Sequence, residues 1–113
     1  AWQVADIVTA MNQESPLELT TLKVDGGMTA SDLLMQIQAD VIDAPVVRPT
    51  VTETTCLGTA YAAGLAVGFW PDQDSLRDNW RVDRRWEPAM SAEVRSRQRA
   101  RWQQAVARSL DWV

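Results

Sequence analysis

An α/β fold is what this sequence predicts, built on one βαβ unit with helices around it. Three stretches carry that expectation. Thr20–Val24 and Pro45–Val51 favour extended backbone, and the amphipathic run Ser31–Ile42 lies between them. Strand, helix and strand in that order make a parallel pair joined by a crossover, which the general rule makes right-handed. The 113 residues suffice for one small domain with a modest core.

Each element has its own signal. Ala1–Gln13 places Val4, Ile7, Val8 and Met11 at helical spacing, and Pro16 ends that helix. The first strand, TTLKV, stops at Asp25-Gly26-Gly27, where turn chemistry takes over. Thr29 or Ser31 caps the next helix, whose broad apolar face is Leu33, Leu34, Met35, Ile37 and Val41. Ala44-Pro45 breaks it, and the second strand follows, with Pro49 marking an edge or a strand end.

Thr52–Thr55 is a polar turn in which Thr54 or Thr55 caps a third helix, Cys56–Phe69. That helix carries Gly58, Ala60, Ala62, Ala63, Gly64, Ala66 and Gly68, which predicts burial and close packing against another element. Such packing must offset roughly 1 kcal/mol per glycine relative to alanine. Cys56 is expected to be buried and inert. Asp74 or Ser75 caps a short helix to about Trp80, and Arg81–Trp86 reads as a strand or an extended arm. Ser91 caps the last helix, which runs to about Trp112 with Glu93 in its first turn. Val94, Trp102, Ala105, Val106, Ser109 and Leu110 form its packing face; Arg95, Arg97, Arg99, Arg101 and Arg108 ring the other side. Two strands are too few for a free-standing α/β domain, so the sheet is expected to be completed by further sequence.

Composition narrows the chemistry. No apolar run approaches a membrane span; the longest is Leu57–Trp70, rich in glycine and alanine. The chain starts at Ala1 inside a helical pattern and without a signal peptide, as expected of the interior of a longer protein. A single cysteine fits a reducing cytoplasm. With no histidine, the commonest general base and metal ligand are missing. Charge is uneven: eight acids against Lys23 and Arg48 up to Cys56, then nine arginines against seven acids. A nucleic-acid site must therefore lie in the C-terminal part, on the arginine-rich last helix; a solvated helix face explains those arginines equally and is preferred.

The double glycine is the one stretch with the chemistry of a ligand site. Two glycines between a strand and a helix let a flat ligand reach the backbone, because no Cβ stands in the way. The helix start adds free N–H groups and a positive dipole end, a combination that suits a nucleotide. It equally suits a tight turn with no ligand. The stretch is neither G-x-G-x-x-G nor G-x-x-x-x-G-K-[ST], which disfavours a Rossmann site and a P-loop.

The longer strings DGGMTASDLLMQ and RPTVTETTCLGTAYAAGLAVGFW, with the ending W-x-x-A-V-x-R-S over Trp102–Ser109, closely resemble the FGGY carbohydrate kinase family in its glycerol-phosphorylating branch. The likeness runs from residue 1 to 113. It implies an actin-like ATPase (ribonuclease H-like) domain, with this chain as the C-terminal part of the nucleotide-binding domain. It implies that D-G-G is the adenosine motif: Gly26 and Gly27 against the sugar or α-phosphate, Met28 bordering adenine, and Ser31 where the family often has an asparagine contacting the base. It implies transfer of a phosphoryl group from ATP to glycerol, or to another sugar or polyol, with Mg²⁺ held mainly by phosphates and upstream carboxylates. The general base and substrate contacts of the family lie upstream of Ala1, so no catalytic residue or metal ligand is assigned here and the chain alone is expected to be inactive. ATP, ADP and a polyol are the implied partners. The strand edge is expected to be covered by a second copy, by the rest of the enzyme or by a rearranged helix.

Overall fold

The computed structural model describes residues 1–110. Helix α1, Trp2–Glu14, buries Ala5 and Val8 and ends ahead of Pro16. Strand β1 is only Leu22–Lys23, shorter than the TTLKV run, with Leu22 N–H donating to Pro45 at 2.8 Å and Val24 N–H to Val47 at 3.0 Å. A 3-10 turn, Gly27–Ala30, leads into helix α2, Asp32–Ile42. Ser31, not Thr29, is the cap: its hydroxyl accepts from Leu34 N–H at 3.3 Å. Strand β2, Val46–Pro49, pairs in parallel with β1, Leu22 standing opposite Val46, which gives the expected βαβ unit. Pro49 closes the strand, as a proline should.

The extended arm becomes a third strand. β3, Val82–Trp86, runs antiparallel to β2, so the sheet is mixed with order β1-β2-β3 and β2 at its centre. Met35, Ala39, Val46 and Trp86 form the core, with Leu22, Val24, Leu34 and Ile42 packed on it. The inward face of α2 is therefore rotated from the expected one: Leu33 is 72% exposed, while Ala39 is fully buried. Apolar residues surround most of this helix, so their pattern does not orient it. The small Ala39 allows the closest approach to the sheet and decides the face.

Helix α3 departs most from expectation. It spans Thr54–Ala66, starting before Cys56 and ending before Phe69, with no side-chain cap from Glu53. Thr54 instead donates its hydroxyl to the Asp25 carboxylate. Cys56 is exposed, and of the whole helix only Gly64 is buried, under the Trp70 ring. The expected close packing is not made among the described residues; the small side chains leave a smooth open face.

Helix α4, Asp74–Arg77, is one turn long and capped by neither expected residue. Asp72 fills that role, accepting Ser75 N–H at 2.9 Å. Helix α5 spans Ala92–Arg108 with Ser91 as its cap, as expected, and Glu93 in the first turn. It ends at Arg108, with Ser109 as its C-cap, earlier than the expected end near Trp112, which itself lies outside the described residues. The docking face of the helix is corrected in part. Arg95 turns inward and donates to the Asp40 carbonyl at 2.7 Å and to Asp43 at 2.6 Å. Trp102 donates its indole N–H to Asp6 at 2.7 Å, and Arg99 reaches Thr9 at 3.2 Å. Leu110, placed on the apolar side by periodicity, is 64% exposed. Val94 and Trp102 of the expected face do lie on the near side, and Arg97, Arg101 and Arg108 stay exposed as expected. The departures are Arg95 and Arg99, drawn in by Asp43 and Asp6, and the exposed Leu110. Among the described residues no helix is long and apolar enough to cross a membrane.

Candidate functional site

The double-glycine turn is held by backbone bonds, by short polar side chains and by Arg48. Gly26 has φ 84°, a left-handed backbone that glycine adopts without strain. Its N–H donates to Thr52 at 2.8 Å, tying the turn to the connection between β2 and α3. Its carbonyl accepts twice from Thr29, from the N–H at 3.1 Å and the hydroxyl at 2.7 Å. Thr29 is buried and Gly26 half-buried, so the Thr29 side of this closed loop of bonds is turned away from solvent. A Cβ built on Gly26 or Gly27 meets nothing within 4 Å, so the glycine backbone faces open space.

That space is a cleft of about 250 Å³ whose walls include Gly26, Gly27, Arg48, Thr50, Thr52 and Asp83. Arg48 supplies its positive charge, balanced by Asp83 at 2.6 Å. Met28 belongs to a different hollow. It is 73% exposed and borders a space of about 350 Å³ on the α1 side, with Leu22, Val24, Leu34 and Gln38. Ser31 is exposed at the start of α2, its hydroxyl engaged by Leu34. The structure thus brings Gly26 and Gly27 together on one cleft, sets Met28 beside another, and uses Ser31 as a cap. Asp25 holds Thr54 and so joins the turn to α3. Among the described residues no three acidic, cysteine or histidine side chains gather as a metal site.

Sequence reasoning missed Arg48, Thr29, Thr52 and Asp83. Arg48 reaches the turn across 19 residues and Asp83 across 35, so no local pattern announces either contact. The one available signal was an arginine at the end of a buried strand, where an unpaired charge is costly and a partner is required.

The shape of this turn and sheet recurs in known proteins. Residues 1–67 match the model of the FGGY family of carbohydrate kinases, C-terminal domain. The whole chain is 58% identical to glycerol kinase 2 of Streptomyces coelicolor and 58% identical to the glycerol kinase of Acidiphilium cryptum, spanning 22% and 23% of their lengths. The crystal structure of Plasmodium falciparum glycerol kinase with ADP superposes on 99% of the chain with TM-score 0.82 at 31% identity, and the chain covers 22% of it. Xylulose kinase of Lactobacillus acidophilus, 17% identical with TM-score 0.62 over 89% of this chain and 20% of its own, shares the fold. The mixed α/β arrangement is that of the actin-like ATPase fold of these kinases. With more than half its length matched by the family model, the chain belongs to the FGGY family of carbohydrate kinases.

Proposed function

We propose that residues 1–113 form the C-terminal part of the nucleotide-binding domain of an ATP-dependent glycerol kinase, which transfers a phosphoryl group from ATP to glycerol and releases ADP. The observation that carries this is the pair of glycines whose missing side chains leave bare backbone on a cleft. A glycerol kinase of similar fold has been crystallised with ADP, which supports a nucleotide as the occupant. In this reading Gly26 and Gly27 lie against the sugar or α-phosphate in their cleft. The base extends past Thr29, which lines both hollows, so that Met28 borders the adenine and Ser31 stands near the base. Ser31 is short and already accepts from Leu34, so its link to the base runs through water.

Phosphoryl transfer needs positioned phosphates, Mg²⁺ and an oriented hydroxyl. Among the described residues no carboxylate cluster is available for the ion, and Asp25 is engaged by Thr54. In this reading Mg²⁺ is held mainly by the ATP phosphates and by residues outside this chain, where the general base and the glycerol contacts also lie. Cytoplasmic placement follows the same reading.

A solvated helix face is preferred to the nucleic-acid alternative: Arg95 and Arg99 are paired with Asp43 and Asp6, and Arg97, Arg101 and Arg108 are taken as solvated. The test is a chimera in which this chain replaces the matching end of the Acidiphilium cryptum glycerol kinase. It should form glycerol 3-phosphate and ADP, while the chain alone should not. A folded chimera that neither binds ATP nor phosphorylates glycerol would overturn the proposal.

A further inference from the structure

Strand β3 reaches the glycine turn through a defect in its pairing. Arg48 lies opposite Arg84 and Pro49 opposite Val82, which leaves Asp83 as the extra residue of a β-bulge. Neighbours on a regular strand point to opposite faces, and a bulge re-aims one of them. The Asp83 carboxylate accordingly meets Arg48, with Nε at 2.7 Å and Nη2 at 2.6 Å. Both Arg48 and Arg84 stand over the Trp86 ring, each 5.3 Å from its centre. Arg84 also pairs with Asp32, in the first turn of α2, at 2.5 Å.

The remaining nitrogen of Arg48 does something different. Nη1 donates to the Thr29 carbonyl at 2.5 Å. Thr29 is the residue whose N–H and hydroxyl both hold the Gly26 carbonyl. A continuous line of bonds therefore runs from Asp83 through Arg48 and Thr29 to Gly26. The Arg48 side chain is only 17% exposed, so its direction is set by these partners and not by solvent.

We propose that Arg48 is a positioning residue for the nucleotide turn, aimed by Asp83 and acting on the Gly26–Thr29 backbone through the Thr29 carbonyl. This rests on the reading of that turn as the nucleotide site. The rigid fork of a guanidinium can serve both partners at once, because one edge meets the carboxylate while the other nitrogen holds the carbonyl. A lysine offers one point charge and satisfies one partner only. Without Arg48 the Thr29 carbonyl loses a charged donor, and the backbone that meets the nucleotide is free to shift.

The experiment compares R48K, D83N and G27V in the complete enzyme, reading KM for ATP and for glycerol separately. Misplaced binding groups cost rate and affinity steeply, so R48K should raise KM for ATP about tenfold and D83N by less. KM for glycerol should stay within about twofold, since the polyol does not touch this turn in the proposed arrangement. G27V serves as the control, because a Cβ on Gly27 meets nothing within 4 Å and a branched side chain there is expected to project into the cleft. If G27V abolishes ATP use but neither R48K nor D83N moves KM for ATP, the positioning role is wrong and the nucleotide reading survives. Equal rises in both KM values for R48K would also overturn the role, as general loosening of the fold. If R48K does not fold, D83N decides alone, since it keeps Arg48 itself. Unchanged ATP use by G27V would overturn the nucleotide reading.

Discussion

Gly26 and Gly27 are adjacent but are glycine for different reasons. Gly26 sits at φ 84°, where any Cβ crowds its own backbone. Gly27 is not in that region, and a Cβ there meets nothing within 4 Å. Chain folding alone therefore demands only the first. G26A should lower unfolding stability by about 1 kcal/mol, as for a residue forced into the left-handed region. G27A should leave the unfolding free energy from denaturant titration unchanged within about 0.5 kcal/mol. Equal losses in the two variants would show that Gly27 also serves the fold, and would remove the case for a ligand there. At this scale the turn was legible, because glycine chemistry is local. Arg48 was not, because its two partners come from distant parts of the chain.

Helix α3 tests what small residues do within one element. Gly58 is open on every side, whereas a Cβ on Gly64 would run into the Trp70 ring. Trp70 is further held edge-on by Tyr61 and Phe69, with ring centres 5.1 and 4.8 Å away. G58A should stabilise the chain by about 0.5–1 kcal/mol through helix propensity. G64A should destabilise it by about 1–3 kcal/mol through overpacking. Thermal unfolding of the two variants checks this, and a stabilising G64A would mean that Trp70 moves freely away. Helix α5 makes the companion point about caps. Ser91 accepts Val94 N–H at 3.3 Å, and S91A should cost about 1 kcal/mol, seen as earlier loss of helical circular dichroism on heating. The cap and the start of α5 were readable from a serine ahead of an acidic first turn. Its docking face was legible only in part: Val94 and Trp102 lie on the near side, but Arg95 and Arg99 join them there because Asp43 and Asp6 stand opposite.

The molecule as a whole exposes more than its size should. Its radius of gyration is 17.7 Å, against about 13 Å for a compact domain of this length. Its accessible surface is 8198 Å², against about 6200 Å² by the usual scaling. Ile7, Leu17, Leu33, Val67 and Phe69 are all more than half exposed. β1 pairs only with β2, so its other edge is open among the described residues. Such a surface needs cover, and we assign that cover to the rest of the kinase or to a second copy of the chain. The chain by itself should bind the dye ANS strongly or sediment as an oligomer at tens of micromolar, and within the complete enzyme the dye signal should fall. A monomer that binds no dye would contradict this.

The sequence alone determined the βαβ order, the glycine turn, the serine cap of α5 and the family likeness, because each is written in neighbouring residues. For the cap of α2 it offered Thr29 or Ser31, and the structure chose Ser31. Tertiary structure decided which face of α2 meets the sheet, that the arm at Val82–Trp86 is a strand, that α3 stays open, and that Arg48 braces the turn. For the α2 face, the third strand and Arg48 the physical reason is the same: each depends on a partner that the chain delivers from far away, and a bond between distant residues leaves no periodicity behind. Helix α3 is the converse, since its small residues cannot say whether a partner is there.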